Sequence, residues 1–175
     1  MAQAGFDRTL AYDRKKGQWR VVIETPKGSH NKYKYDEKLK RFVLSTVLPE
    51  GMVFPYDFGF LPGTKAEDGD PVDVLLLLDA PVFCGCVVLA RPIGVIEAEQ
   101  QEDGDWERND RLVFVASESR THGNCKSVKD LDSRELKEIE EFFVSYNRVK
   151  KRKFKLLGIH GPRKAEKLIT RLRRK

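Results

Sequence analysis

Glu67-Asp68-Gly69-Asp70-Pro71-Val72-Asp73-Val74 is the stretch on which the rest of this chain is organised. Three aspartates fall within six residues, separated by Gly69 and Pro71, and the apolar run Val74 to Leu78 follows at once. A short apolar run bounded by turn residues reads as a buried strand. The acids therefore sit at the mouth of a rigid element. Two like charges ~4 Å apart repel by about 4 kcal/mol at an effective dielectric of ~20, equivalent to roughly three pKa units. Three converging carboxylates must take up protons, splay into water or bind cations.

Working outward, the flanking sequence is rich in strands. Trp19 to Thr25 is β-rich and stops at Pro26, with Glu24 near its end. Lys32 to Asp36 alternates, placing Lys32, Lys34 and Asp36 on one face and Tyr33 and Tyr35 on the other. Arg41 to Val47 is another strand candidate. Phe54 to Gly63 is aromatic and full of turn residues, and reads as an irregular segment packed on the core. Cys86 to Glu99 holds two apolar runs broken by Arg91-Pro92, with Pro92 at a bend or bulge. Gln100 to Asn109 is polar and turn-like, and Arg111 to Ala116 is a further strand. Asp132 and Glu135 form a capping box ahead of a helix whose apolar stripe is Leu136, Ile139, Phe142, Phe143 and Tyr146. Gly161-Pro162 opens a second helix. Several strands before one main helix predict an α+β fold, with the sheet closed or strongly curled.

The length of 175 residues fits one domain with a real core. No stretch approaches the ~20 apolar residues of a membrane helix. Met1 to Leu10 carries Asp7 and Arg8 and no apolar centre, so no signal peptide is expected. Cys84, Cys86 and Cys125 make an odd set without CxxC spacing, which predicts inert thiols in a reducing cytoplasm. The net charge of +6 is uneven: from Arg148 onward thirteen Lys or Arg face one acid, Glu166, giving +12 and leaving −6 for the rest. Residues 148–175 thus read as a basic C-terminal extension containing a helix. Such a run binds nucleic acid, an anionic surface or an acidic neighbouring subunit, although an isolated charge run is more often a solvated face.

The acidic stretch is not an EF-hand, because Val72 and Asp73 stand where that loop needs an acid or amide and a glycine. There is no Walker loop, GxGxxG, GxSxG or HExxH. An Asp-rich, His-poor and Cys-poor set suits hard cations such as Mg²⁺, with Mn²⁺ or another divalent ion as substitutes. Two such ions roughly 3.5–4 Å apart clamp an in-line displacement at phosphorus and activate a water. A carboxylate must accept that water's proton, and Asp70 is the middle acid. Cationic clamps for the phosphate are available in Lys32, Arg111 and Arg148, and Tyr146 is a hydrogen-bond donor or else a core tyrosine.

D-G-D-P-V-D-V at Asp68 to Val74 resembles the signature of the soluble family I inorganic pyrophosphatases. V-V-I-E-T-P at Val21 to Pro26, N-K-Y at Asn31 to Tyr33, F-P-x-x-F-G at Phe54 to Gly59, R-P-I-G-V at Arg91 to Val95 and F-F-V-S-Y-N at Phe142 to Asn147 fit in the same order. The resemblance runs from about Val21 to Leu157. It implies a small closed OB-like β-barrel with flanking helices and a Mg²⁺-dependent hydrolysis of pyrophosphate to two phosphates. It also implies a cytoplasmic homo-oligomer, often a hexamer. It assigns Glu24, Asp68 and Asp73 as metal ligands, Asp70 as general base and ligand, and Lys32 and Tyr146 as phosphate contacts. For the acid of the later loop it leaves Asp110, Asp103 or Glu99.

The sequence also departs from the family pattern. Lys34 stands where glutamate is usual, changing the site by two charge units. Thr46 stands near the place of an arginine, with Arg41 off register. Phe54 and Phe58 replace tyrosines, and Asn147 replaces a lysine. The D-x-K of the later loop becomes Asn109-Asp110-Arg111, and a one-residue offset flips a side chain's face in a strand. Each lost charge-assisted contact is worth roughly 1.5–3 kcal/mol. These changes predict a divergent pyrophosphatase with fewer tight metals. They leave two alternatives: a hydrolase of another phosphoanhydride, such as a nucleotide or short polyphosphate, and a non-enzymatic phosphate- or nucleic-acid-binding module. Three clustered acids disfavour nucleic acid.

Overall fold

The computed structural model describes residues 11–102 and 104–173. The N-terminal segment to Leu10 and Asp103 lie outside the described residues. Among the described residues ten strands and two α-helices follow in chain order, with a 3-10 turn at Val128–Asp130: β1 Tyr12–Asp13, β2 Gln18–Thr25, β3 Asn31–Asp36, β4 Arg41–Val47, β5 Asp57–Phe60, β6 Asp73–Leu77, β7 Val87–Glu102, β8 Asp105–Arg108, β9 Arg111–Ala116, α1 Ser133–Val149, β10 Lys153–His160 and α2 Pro162–Leu172. β3 and β4 form a separate hairpin, and the other strands form one mixed sheet in the order β1-β2-β5-β6-β9-β7-β10, with β8 on β7. β2 also pairs with β7.

β6 and β9 are the parallel centre of this sheet, in register from Asp73 against Arg111 to Leu77 against Val115. Both are apolar on both faces, as strands covered on two sides must be. Leu75, Leu77, Val113 and Val115 join the core beneath α1 with Ile139 and Phe143. Val74, Leu76, Leu112 and Phe114 join the opposite core with Ala165 and Ile169 of α2. Period-two alternation therefore places Asp73 and Arg111, at the head of the two strands, on the α1 side. Gly59 in β5 is required by close strand approach: a Cβ there would lie 1.9 Å from the Val22 carbonyl oxygen.

The expected strands and both helices are present, and the Asp132–Glu135 capping box starts α1. Pro92 sits at a register shift between β7 and β9. Three segments differ from the reading of the sequence. The Phe54 to Gly63 segment contains strand β5, with all four residues buried. The Gln100 to Asn109 loop is a hairpin in which β7 runs on to Glu102 and turns into β8. The basic C-terminal region contributes β10, paired along β7, and α2 is pinned to β7 by Lys164 Nζ, 2.7 Å from Glu97. β10 was obscured because Lys153 and Lys155 interrupt its apolar pattern, yet alternate residues still face the core.

Candidate active site

The acidic turn is held by hydrogen bonds from its backbone amides. Gly69 adopts φ +88°, a left-handed conformation that suits glycine. The Asp70 amide donates to Asp68 Oδ1 at 3.0 Å and the Ala66 amide to the Asp70 carbonyl at 2.7 Å. The Val72 amide donates to Thr64 Oγ1 at 2.9 Å, which anchors the turn to the buried loop before it. Asp68 and Asp70 are thus presented at the edge of the sheet, while Asp73 points down its α1 face.

A cleft opens there between the sheet, the β3–β4 hairpin and α1. Its polar lining is Lys32, Asp73, Gln100, Asn109, Arg111, Tyr146 and Arg152, over Phe54, Phe58, Phe142 and Phe143. Arg111 is 3% exposed, with its guanidinium 4.2 Å from the Phe143 ring centroid. Burial holds the Asp73 carboxyl above its ordinary range, although Arg111 and Lys32 pull it down. Lys32 Nζ lies 5.5 Å from the rings of both Phe58 and Tyr146, and Lys150 Nζ lies 5.0 Å from Tyr146 on another side. Burial works against ionisation of the Tyr146 phenol, but these two ammoniums outweigh it and lower its pKa. Among the described residues, Tyr146 Oη and Arg111 Nε have no hydrogen-bond partner. Buried polar atoms without partners are costly, and both lie at the cleft.

Glu24 stands behind the hairpin, where the Tyr35 amide donates to its Oε1 at 2.7 Å. Burial pushes its carboxyl from 4.5 up to about 7, with Asp73 adding repulsion. Between those values the native metal-free protein keeps a proton that the unfolded chain has released. Its stability therefore falls as pH rises through that window, by roughly 3 kcal/mol. Urea denaturation of metal-free protein from pH 4.5 to 7.5 should show this loss, and Glu24→Gln should remove it. A slope that survives the substitution would exclude Glu24 as its source.

Lys34, on the exposed side of β3, reaches across to the acidic turn. Its Nζ lies 2.6 Å from Asp70 Oδ2, and this hydrogen bond raises the lysine's pKa. Thr46 pairs in register with Lys32, so a neutral side chain neighbours the cleft lysine; Arg41 lies at the far end of the hairpin, opposite Asp36.

The later loop is arranged differently from the expectation. Asp110 turns away from the cleft, accepting from Arg108 Nη2 at 2.9 Å and from the Ala98 amide at 3.2 Å. Glu99 pairs across strands with Lys155 and Arg108, away from the cleft. Alternation puts Asn109 on the face of Arg111, and Gln100 is the β7 residue that looks inward. Arg148 is exposed on α1 and does not line the cleft. Arg152 does: Lys151 takes φ +57°, and the Arg152 amide donates to the Asn147 carbonyl at 2.9 Å, swinging the chain back over the cleft. No sequence periodicity signals that turn. Asn147 itself is buried, its Nδ2 donating to the Phe143 carbonyl at 2.9 Å.

As a metal site the cleft is one-sided. The turn and Glu24 offer carboxylates, the donors a hard divalent ion takes. The opposite wall offers the amides of Gln100 and Asn109. Among the described residues, no three Asp, Glu, His or Cys side chains converge closely enough to hold a metal. The donors fit a divalent ion in kind at the Asp68–Asp73 side and do not fit a second carboxylate-bound ion opposite.

A cleft lined by Lys32, Arg111 and Arg152 around Asp73, beside the acidic turn, has the lining of a phosphate-handling site. Residues 21–175 match the family model described as inorganic pyrophosphatase. An inorganic pyrophosphatase of Synechocystis is 42% identical over 144 residues, covering 82% of this chain and 83% of its own length. The crystal structure of an inorganic pyrophosphatase from Neisseria gonorrhoeae superposes with a TM-score of 0.84 at 35% identity, covering 96% of each chain. That from Thermus thermophilus gives 0.82 at 31% identity over 91% of each. The chain belongs to the family I inorganic pyrophosphatases. The family implies dependence on a divalent metal.

Proposed function

We propose that this protein hydrolyses inorganic pyrophosphate to two phosphates in the cleft beneath α1, with Mg²⁺ as the divalent ion. The observation that carries the reading is the register pairing of Asp73 with Arg111 beside the Asp68–Asp70 turn, in a chain of this family. Asp68, Asp70 and Asp73, with Glu24 behind them, would supply carboxylate ligands to the ion. When bound, it neutralises phosphate charge and acidifies a coordinated water. Asp70 accepts the proton of the attacking water. Lys32, Arg111 and Arg152 bind phosphate oxygens, and the buried Arg111 and Tyr146 donors meet the substrate rather than water.

Several structural proposals accompany this one. β2 pairs with both β5 and β7, so the order β2-β5-β6-β9-β7 returns to β2, which supports a closed OB-like barrel. The pairing of β10 and the packing of α2 support a single domain that includes the basic C-terminal region. A homo-oligomer, a hexamer by family resemblance, accounts for exposed apolar side chains such as Phe83, 73% exposed. Free Cys84, Cys86 and Cys125 suit a cytoplasmic setting. No helix among the described residues is long and apolar enough to cross a membrane.

The test is phosphate release from pyrophosphate, tripolyphosphate and ATP, each with Mg²⁺ and with chelator. Mg²⁺-dependent release with preference for pyrophosphate is the expected result. Release from the longer anhydrides alone would favour the polyphosphate or nucleotide alternative, and no release from any would leave a binding module.

A further inference from the structure

We infer that Lys34 is a built-in counter-cation for Asp70 that competes with the divalent ion, so that metal loading requires the ammonium to leave. The inference rests on the reading of Asp70 as a ligand. Three observations carry it. Lys34 Nζ is 2.6 Å from Asp70 Oδ2, at the oxygen a cation would use. The pair spans two independent elements, β3 and the acidic turn, 36 residues apart in sequence, so it is a contact of the fold and not a local accident. Among the described residues no three Asp, Glu, His or Cys side chains group closely enough to hold a metal, and the cation placed on Asp70 is the Lys34 ammonium.

Charge balance explains why such a substitute is workable here. The wall opposite the turn carries the neutral amides of Gln100 and Asn109. Fewer carboxylates need fewer positive charges, and one ammonium on Asp70 supplies part of the balance without a metal. The arrangement is reversible. Lys34 and Asp70 side chains are 51% and 53% exposed, and an exposed ion pair is weak. An incoming phosphate-class anion offers the ammonium another partner and frees Asp70. Metal and anion binding are then coupled through one side chain, each favouring the other.

The experiment measures Mn²⁺ binding by the electron paramagnetic resonance of the free ion, at fixed pH and ionic strength, in wild type, Lys34→Met and Lys34→Arg. Removing a charge beside a dication should tighten Mn²⁺ binding at least about tenfold in Lys34→Met. Lys34→Arg, which keeps the charge, should stay close to wild type. Equal affinity in wild type and Lys34→Met overturns the inference, as does tightening in Lys34→Arg to the Lys34→Met value. Thermal unfolding of each variant checks that the exposed hairpin is intact. Phosphate release on the same samples separates the two readings. Tighter Mn²⁺ in Lys34→Met with no hydrolysis by wild type supports the counter-cation and removes the hydrolase. Normal hydrolysis with unchanged Mn²⁺ affinity removes only the counter-cation.

Discussion

Asp70→Asn should lower phosphate release from pyrophosphate by about a thousandfold while leaving the fold intact. The size follows from the two tasks given to one carboxylate. A positioned general base contributes roughly 10²–10⁴-fold, and an amide cannot accept the water's proton. Loss of a ligand charge adds to the effect at limiting Mg²⁺. The fold should be indifferent because none of the bonds that hold the turn uses the Asp70 side chain: the Asp70 amide donates to Asp68 Oδ1, the Ala66 amide to the Asp70 carbonyl, and the Val72 amide to Thr64 Oγ1. The side chain's own contact is the exposed pair with Lys34, worth about 1 kcal/mol or less. Initial rates at saturating and limiting Mg²⁺, beside a thermal melt, check both halves. A substitution that keeps near-wild-type rates would remove Asp70 from the proton transfer. One that unfolds the protein would mean the acid is structural.

The sequence made the strands legible wherever their periodicity was clean. Val21 to Ile23, Val74 to Leu77 and Leu112 to Ala116 are apolar without interruption, and all lie in the core. The first turn of α1 was equally plain, because a capping box is a local pattern with a local cause. β10 was hidden by Lys153 and Lys155, whose charges mask the inward Phe154 and Leu156. The site divides along the same line. Asp68, Asp70 and Asp73 are neighbours in sequence, so their place at the head of β6 could be read directly, though not that Asp73 turns down the α1 face away from the other two. Which residue of the later loop faces the cleft depends on register between β7, β8 and β9, and a single-residue offset exchanges Asn109 for Asp110. Arg152 was illegible for a further reason: a left-handed Lys151 aims it, and nothing in the amino-acid pattern marks that turn. Lys34 was legible as a departure, while its contact with Asp70 needed the hairpin's placement over the turn.

Arg111→Met should cost both stability and activity, and the two losses should separate on adding Asp73→Asn. Arg111 is buried on the α1 face, pressed on Phe143 and Phe154 and directly beside Asp73 across the parallel pair. Methionine can fill much of the space over the rings but brings no charge. Asp73 then keeps Lys32 as its nearby cation. No direct ion pair joins the two side chains, but both are buried on one face, and leaving a buried charged group with less compensation typically costs about 1–3 kcal/mol or more, which places the expectation at about 3. For a chain of this size that is a fall of roughly 10 °C in melting temperature. Asp73→Asn in the same chain removes the orphaned charge, so the double variant should melt above Arg111→Met alone, a coupling that a double-mutant cycle reads directly. Activity should not follow. On the proposed reading the double variant lacks both a phosphate donor and a metal-side carboxylate, so its phosphate release should be no better than the single variant's. Additive destabilisation would mean that Asp73 and Arg111 are held independently by their strands. Recovered hydrolysis in the double variant would show that neither charge serves the reaction and would move the chemistry to the edge of the cleft, with Asp68 and Asp70.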